Sequence, residues 1–472
     1  MKKTLKTTLA AALSAITALT FSGCANDNTM DKITLPDYDA KINEYEISVS
    51  GWLIPASLNA ENVKWIREAG ISVMHAVAAG DDYTLSFPKY DDAAKSALKI
   101  LGDEGIGVYV NTCSKEGSSF RKISQFKESP AVLGMSLDEP NKAEIDSMAK
   151  EVANYNANAD GRTFYSNLFP SFSSVVRSEF GGVFEDYLRY YCDNVLSKLR
   201  TGEKWLSVDR YPLTYDKQGE KCLDSEWLFD VQTVAKTARA YDGIKTNFFI
   251  QTMPYGINED GSPQGAKYGS RDRIPTYEDV KMQEYALMAF GYDGISMFCY
   301  GTPLVGFEFA ESQYAMIGRD GKKTDIYDSV KRANYECMAF DHVLLQFDWV
   351  GTFTNDAGQT TVGTNRTTNA SFKQLTRISL ENIPSLKKVT STADTLFGYF
   401  TDAEGNDGIM AVNYNETTKN LSDKAELTFD ATKYNRAVVY NGGTKTVREL
   451  SDGKLVLELG VGDGAFVIPF AE

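Results

Sequence analysis

The sequence predicts an α/β protein: a (β/α)8 TIM barrel followed by a C-terminal antiparallel β-sandwich. Three observations carry that reading. From about residue 46, short apolar runs alternate with helical patterns, eight times over roughly 300 residues. Glycine stands at four helix-to-strand joins, Gly70-Ile71, Gly105-Ile106, Gly243-Ile244 and Gly294-Ile295, and glycine readily takes the left-handed conformation that ends a helix. After Gln346 the composition shifts to Thr, Asn, Gly and Asp between short alternating runs.

Taken in order, the chain begins with an address. Lys2, Lys3 and Lys6 precede an apolar stretch, Leu9 to Phe21, too short to span a membrane comfortably. It ends Ser22-Gly23-Cys24, which resembles a bacterial lipobox. That resemblance implies cleavage before Cys24 and lipidation of that cysteine. Residues 1–23 are therefore expected to be a signal peptide, and the protein to be extracytoplasmic, at the cell surface or in the periplasm, with a lipid anchor to the membrane. The polar, aperiodic stretch that follows makes 24–45 an expected tether.

The barrel is expected over 46–345. Its strands are read near 47–53, 71–78, 106–112, 132–138, 162–168, 205–209, 245–252 and 295–300. The clearest helices are Glu226 to Ala240 and Tyr277 to Phe290, the latter opened by a Thr276/Asp279 capping-box variant. An open doubly wound sheet is the alternative, but no glycine-rich phosphate loop follows the first strand. Loops after strands, such as 169–183 and 254–275, are the longer ones, as on a barrel whose strand C-termini carry the site. A last helix is read from Ile326 to Leu345. The sandwich is expected over 347–472, with hairpin turns at Asn441-Gly442 and Asp452-Gly453.

Composition removes several functions. With 49 basic and 64 acidic residues the formal charge is −15, which argues against a nucleic-acid partner. Besides Cys24, five widely spaced cysteines form no metal-binding pattern, so no metal and no cofactor is expected. No feature points to an obligate protein partner. The two histidines are His75, within strand two, and His342, in the last helix. Neither accompanies a Gly-x-Ser-x-Gly elbow, so a serine hydrolase triad is unsupported. His75 reads as a hydrogen-bonded core or ligand-contacting residue rather than a general base.

What remains is carboxylates and aromatics at strand ends. The run Val132-Leu-Gly-Met-Ser-Leu-Asp-Glu-Pro140 is apolar until Asp138 and Glu139, and Pro140 stops the strand. A Glu beside apolar walls has its charged form disfavoured and can serve as a general acid. The competing reading is that the triplet caps the next helix through its dipole. Other strand ends carry Trp52, Asn111, Asn167, Asp209, Tyr211, Gln251 and Tyr300. Sugars stack on aromatic rings and need paired donors and acceptors for their hydroxyls, and two carboxylates suffice to cleave a glycosidic bond.

This arrangement resembles the (β/α)8 glycosidases of the clan that includes the β-galactosidases. In that clan strand four ends Asn-Glu-Pro or Asp-Glu-Pro; Leu133-Gly-Met-Ser-Leu-Asp-Glu-Pro140 matches the second form, and Met282 to Tyr300 looks like the stretch before and along strand eight. The resemblance implies Glu139 as general acid/base. It also implies a nucleophilic Glu at the end of strand seven, where this chain has Gln251, and an amide cannot form a glycosyl intermediate. Asp209 is then the candidate second carboxylate, as base or nucleophile, with Glu308 another. Asp138, Asn111, Trp52, Asn167, Tyr211, Gln251 and Tyr300 are expected to bind the sugar. The expected activity is hydrolysis of glycosidic bonds in an extracellular oligo- or polysaccharide. The alternative is a carbohydrate-binding lipoprotein on a barrel without catalysis.

Overall fold

The computed structural model describes residues 30, 32–56, 58–76, 84–111, 120–215, 220–254, 273–303, 314–357 and 368–472. Cys24, Cys113 and Glu308 lie outside them, as does most of the loop at 254–275. Eight parallel strands close a barrel: β1 (Ser48–Trp52), β2 (Val73–Ala76), β3 (Gly107–Val110), β4 (Val132–Asp138), β5 (Thr163–Leu168), β6 (Lys204–Asp209), β7 (Ile244–Gln251) and β8 (Gly294–Phe298). β1 pairs with both β8 and β2, so the ladder has no free edge. Strand order follows chain order around the ring, as successive βα units require.

Three of the four glycine joins behave as expected: Gly70, Gly105 and Gly243 have φ of 80°, 73° and 68°. Gly294 differs. It opens β8 with its α-carbon turned inward, where a Cβ would lie 2.8 Å from Asn247 Oδ1 and 3.0 Å from the Trp205 ring. The preceding helix is closed by Gly291 instead, at φ 66°.

Around the barrel run α1 (Asn62–Glu68), α2 (Asp92–Asp103), α3 (Lys142–Asn158), α4 (Ser174–Glu179), α5 (Phe184–Asn194), α6 (Trp227–Arg239), α7 (Tyr277–Ala289) and α8 (Asp325–Cys337). Both halves of the Thr276/Asp279 capping box form. From Asp279 to Ala289 every residue of α7 is buried, because the helix lies between the barrel and the C-terminal sheets. A helix covered on all sides has no polar face to show. The helix read to Leu345 breaks after Cys337 into a 3-10 turn, Met338–Phe340, and one further turn, Asp341–Leu344.

The C-terminal part is two antiparallel sheets. The larger contains β9 (Phe347–Asn355), β11 (Thr395–Asp402), β12 (Asp407–Asn413), β14 (Arg436–Asn441), β15 (Thr444–Glu449) and β17 (Gly464–Phe470); the smaller contains β10 (Leu386–Thr390), β13 (Asp423–Phe429) and β16 (Lys454–Leu459). Between them pack Phe353, Phe397, Ile409, Leu427, Leu457 and Val467. The other face of the larger sheet, with Phe400, Met410, Phe466 and Ile468, joins the barrel's helical core. β12 is therefore buried at all seven positions, while β16 alternates exposed and buried.

The segment expected as a tether is tied down over its described part. Ile33 bridges Ala471, and Tyr38 is buried against Phe347 with its hydroxyl 2.6 Å from Asp402 Oδ2. Asp39 meets His342 Nε2 at 3.1 Å and the Lys445 ammonium at 2.5 Å. A polar, aperiodic sequence can still dock when each polar group finds a partner.

Candidate active site

Strand alternation decides which side chains reach the barrel axis. Along β4, β5 and β6 the inward set ends in Asp138, Asn167 and Asp209, at the C-terminal mouth where such barrels place function. Asn167 joins the other two. Its Nδ2 donates to Asp209 Oδ1 at 2.9 Å and reaches Asp138 Oδ1 at 3.4 Å. Asp209 is half-buried, and the surrounding wall excludes enough water to push its carboxyl up to about 6, against the pull of hydrogen bonds from Asn167 and Tyr211. Asp230 behind it adds a smaller upward push.

Glu139 turns the corner at the rim. Its φ is +46°, a left-handed conformation uncommon for a residue with a Cβ, and its N–H extends the ladder to Asn167 O at 2.8 Å. The turn is braced from outside by Tyr187 of α5, whose hydroxyl donates to Pro140 O at 2.8 Å. The helix that follows is capped by Asn141, in a reciprocal box with Glu144. The capping role that competed for Asp138 and Glu139 belongs to Asn141.

The other expected residues divide. Trp52 is buried at the base of the mouth, edge-on to Phe249 at 5.3 Å. Tyr211 stacks on Phe298 at 4.9 Å. Asn111 follows β3, half-buried, with its N–H on Ala76 O at 3.2 Å. Gln251 does not present its amide to a ligand: it is fully buried, Oε1 accepting from Leu213 N and Nε2 donating to the carbonyls of Met253 and Arg273. Tyr300 is also misread as a mouth residue. Its ring packs in the layer between barrel and helices, 1% exposed, with its electrostatic neighbours on α1 and α8.

No family model matches this chain, and neither does any curated protein. Among solved structures it is similar to a GH42 beta-galactosidase from G. stearothermophilus, at 9% identity over 90% of this chain and 98% of that one, with a TM-score of 0.49. It is also similar to a family 39 glycoside hydrolase from Bacteroides cellulosilyticus WH2, at 10% identity, 91% and 82% coverage and a TM-score of 0.46. At such identities the likeness is one of fold.

Several residues of the site were not read from the sequence. Arg210, next in the chain to Asp209, turns its guanidinium away to Asp224, Glu226, Asp230 and Ser171. Ser207 escaped notice, although its signal was present: Ser50, Ser207 and Ser296 are small polar residues at inward positions of otherwise apolar strands. His75 is a core histidine, enclosed by Trp52, Tyr109, Tyr165 and Phe249 and held neutral by burial, which pulls it down to about 3.

Proposed function

We propose that this chain is a glycoside hydrolase acting on an oligo- or polysaccharide, with Glu139 as general acid and Asp209 as general base. The observation that carries the reading is the meeting of Asp138 and Asp209, from β4 and β6, on the Asn167 side-chain amide at the barrel mouth, with Glu139 next in the chain and its N–H on Asn167 O. In this scheme Glu139 protonates the glycosidic oxygen as its bond to the anomeric carbon breaks. Asp209 removes a proton from the water that attacks the opposite face, so configuration inverts. A base that titrates about 6 is ionised at neutral pH and still accepts a proton readily. Inversion is favoured over retention because β7 ends in Gln251, an amide held by backbone groups, where a nucleophile would stand. Trp52 and the Tyr211–Phe298 stack supply apolar surface for a pyranose face.

The test is a screen of the purified protein against plant, host and microbial glycans, read as released reducing ends. Glu139→Gln should remove nearly all turnover and leave sugar binding measurable; Asp209→Asn should do the same without rescue by azide. Undiminished turnover in Glu139→Gln overturns the assignment. Binding without cleavage by the unmodified protein supports the carbohydrate-binding alternative, which the buried Gln251 favours.

The proposal extends to location: an extracytoplasmic protein held to the membrane by lipid on Cys24, motivated by Ser22-Gly23-Cys24 after a short apolar core. Cys24→Ser should release the protein from membranes or leave it unprocessed. Normal processing with unchanged membrane association counts against it.

A further inference from the structure

The inside of the barrel holds a connected line of polar groups. His75 Nε2 lies 3.2 Å from Ser50 Oγ, which lies 2.5 Å from Ser296 Oγ. Ser296 Oγ meets Asn247 Oδ1 at 3.1 Å. Asn247 Nδ2 reaches Tyr165 Oη at 2.8 Å, Ser207 Oγ at 2.9 Å and Ser296 Oγ at 2.9 Å, and the first two oxygens are 2.5 Å apart. Ser207 Oγ then meets Asn167 Oδ1 at 3.2 Å, and Asn167 Nδ2 ends the line on Asp209 and Asp138.

Proton counting gives this line a direction. The carboxylates take only hydrogens, so Asn167 must present its NH2 to them and its Oδ1 to Ser207. Ser207 has one hydrogen, which goes to that Oδ1, so the Tyr165 hydroxyl must donate to Ser207 and accept from Asn247. Both ends of the Asn247 amide lie near Ser296, so the inner half has two possible directions. With Ser296 donating to Ser50 and Ser50 to His75, Asn247 Oδ1 loses the hydrogen of Ser296 and His75 carries an orphaned N–H at Nδ1. The satisfied arrangement has Ser296 donating to Asn247 Oδ1, Ser50 to Ser296, and His75 Nε2–H to Ser50. The remaining ring nitrogen, Nδ1, has no partner among the described residues. A bare acceptor left there is more tolerable than an orphaned buried N–H. Every donor thus points toward Asp209 and Asp138, and such bonds polarise one another in a low-dielectric interior.

We propose that Asn167 and Ser207 are positioning residues: they are the last links of a one-way line of donors, starting at neutral His75, that holds Asp209 ionised and fixed at the mouth. The other groups around Asp209 are Asp138 across the amide, Glu139 next to it at the rim, Tyr187 on α5 near both Glu139 and Asp209, Tyr211 on its own segment, and Asp230 on α6 with its Arg210 partner. The neighbouring carboxylates oppose its ionisation, so the donor line is the counterweight. The catalytic consequence rests on the hydrolase reading above; the electrostatic one does not.

The experiment follows the carboxyl of Asp209 by 13C NMR in aspartate-labelled protein, its signal assigned by loss in Asp209→Asn. Asn167→Ala should raise the titration midpoint by about one to two pH units, the size of one lost charge-assisted bond. Ser207→Ala, a smaller change one step deeper, should raise it by about half a unit, since it leaves the amide in place but unoriented; it serves as the second arm if Asn167→Ala does not fold. Ser166→Ala is the control: equally buried on β5, it faces outward to Leu137 O and should shift nothing. A midpoint unmoved in both Asn167→Ala and Ser207→Ala, or moved equally in Ser166→Ala, overturns the proposal. With a cleaved glycan in hand, the acidic limb of kcat/KM should move with the NMR midpoint. If no glycan is cleaved, the hydrolase reading falls while the NMR arm still decides the donor line.

Discussion

Gln251 Oε1 accepts the backbone N–H of Leu213 at 3.2 Å, stitching the end of β7 to the segment after β6. Its Nε2 satisfies two carbonyls, Met253 O and Arg273 O. Gln251→Glu would turn a carboxylate against those carbonyls in a buried site. The expected outcome is a loss of about 2–4 kcal/mol in denaturant unfolding and no gain of retaining hydrolysis, read from the anomer first released by NMR.

Glu139 pays for its position in backbone conformation. A left-handed L-residue costs about 1–2 kcal/mol, of which glycine returns part to its greater freedom when unfolded. Glu139→Gly should therefore be as stable as the parent, or up to about 1 kcal/mol more so, while hydrolysis falls to background. Asp160→Gly, at φ +50° on the α3–β5 turn, should match the stability change with activity intact. Equal loss of activity in both variants would deny Glu139 its special role.

For Asp209 the pH dependences of rate and stability should run in opposite directions. Its folded pKa of about 6 lies above the ordinary 3.8. The folded state binds more protons across that interval, so stability falls as pH rises through it and levels off beyond. Activity should rise over the upper part of the same interval as the base ionises. Asp209→Asn should flatten this part of the stability profile, measured as the pH dependence of Tm, and abolish turnover throughout.

Glu284 offers a larger effect away from the site. It is fully buried on α7 beside Cys337, and burial pushes its carboxyl up to about 8 against a smaller downward pull from the Cys337 thiol. Its destabilising contribution grows from pH 4.5 to about 8 and is constant above. Glu284→Met, similar in volume and apolar, should gain on the order of 4 kcal/mol at pH 8 and much less at pH 5. A gain independent of pH would mean that the carboxyl does not titrate in this range.

His342 and Asp39 tie the N-terminal segment to the protein. Pairing raises the His342 pKa and lowers that of Asp39 to about 2. The histidine's contribution is complete below pH 6.5 and is lost as pH rises through its raised folded value. The aspartate's is complete above 3.8 and is lost as pH falls toward 2. Resistance of this segment to limited proteolysis should be greatest between about pH 4 and 6.5, and His342→Ala should remove the alkaline limb of that profile.

Much of this was legible beforehand. All eight barrel strands lie where alternation put them, because strands buried on both faces read as apolar runs whatever surrounds them. Asp138 and Asp209 were visible as carboxylates closing such runs. What the chain concealed depended on direction. Gln251 and Tyr300 stand at strand ends like Trp52, and only the packing above them turns one amide onto backbone carbonyls and one ring toward the helices. Ser207 looked like a neutral residue in a strand, since a hydroxyl has meaning only through its partners on β5 and β7.

The docked N-terminal segment reaches the barrel at the end where the strands begin: Ile47 N bonds Asp341 Oδ2, and Ser48 N bonds Asp293 O. Asp138 and Asp209 sit where the strands finish. From Cys24 to Ile33 there are nine residues, a reach of at most about 32 Å. A lipid on Cys24 would thus hold the end of β17, where Ile33 bridges Ala471, within that distance of the bilayer, and the barrel would reach its substrate from close to the membrane surface.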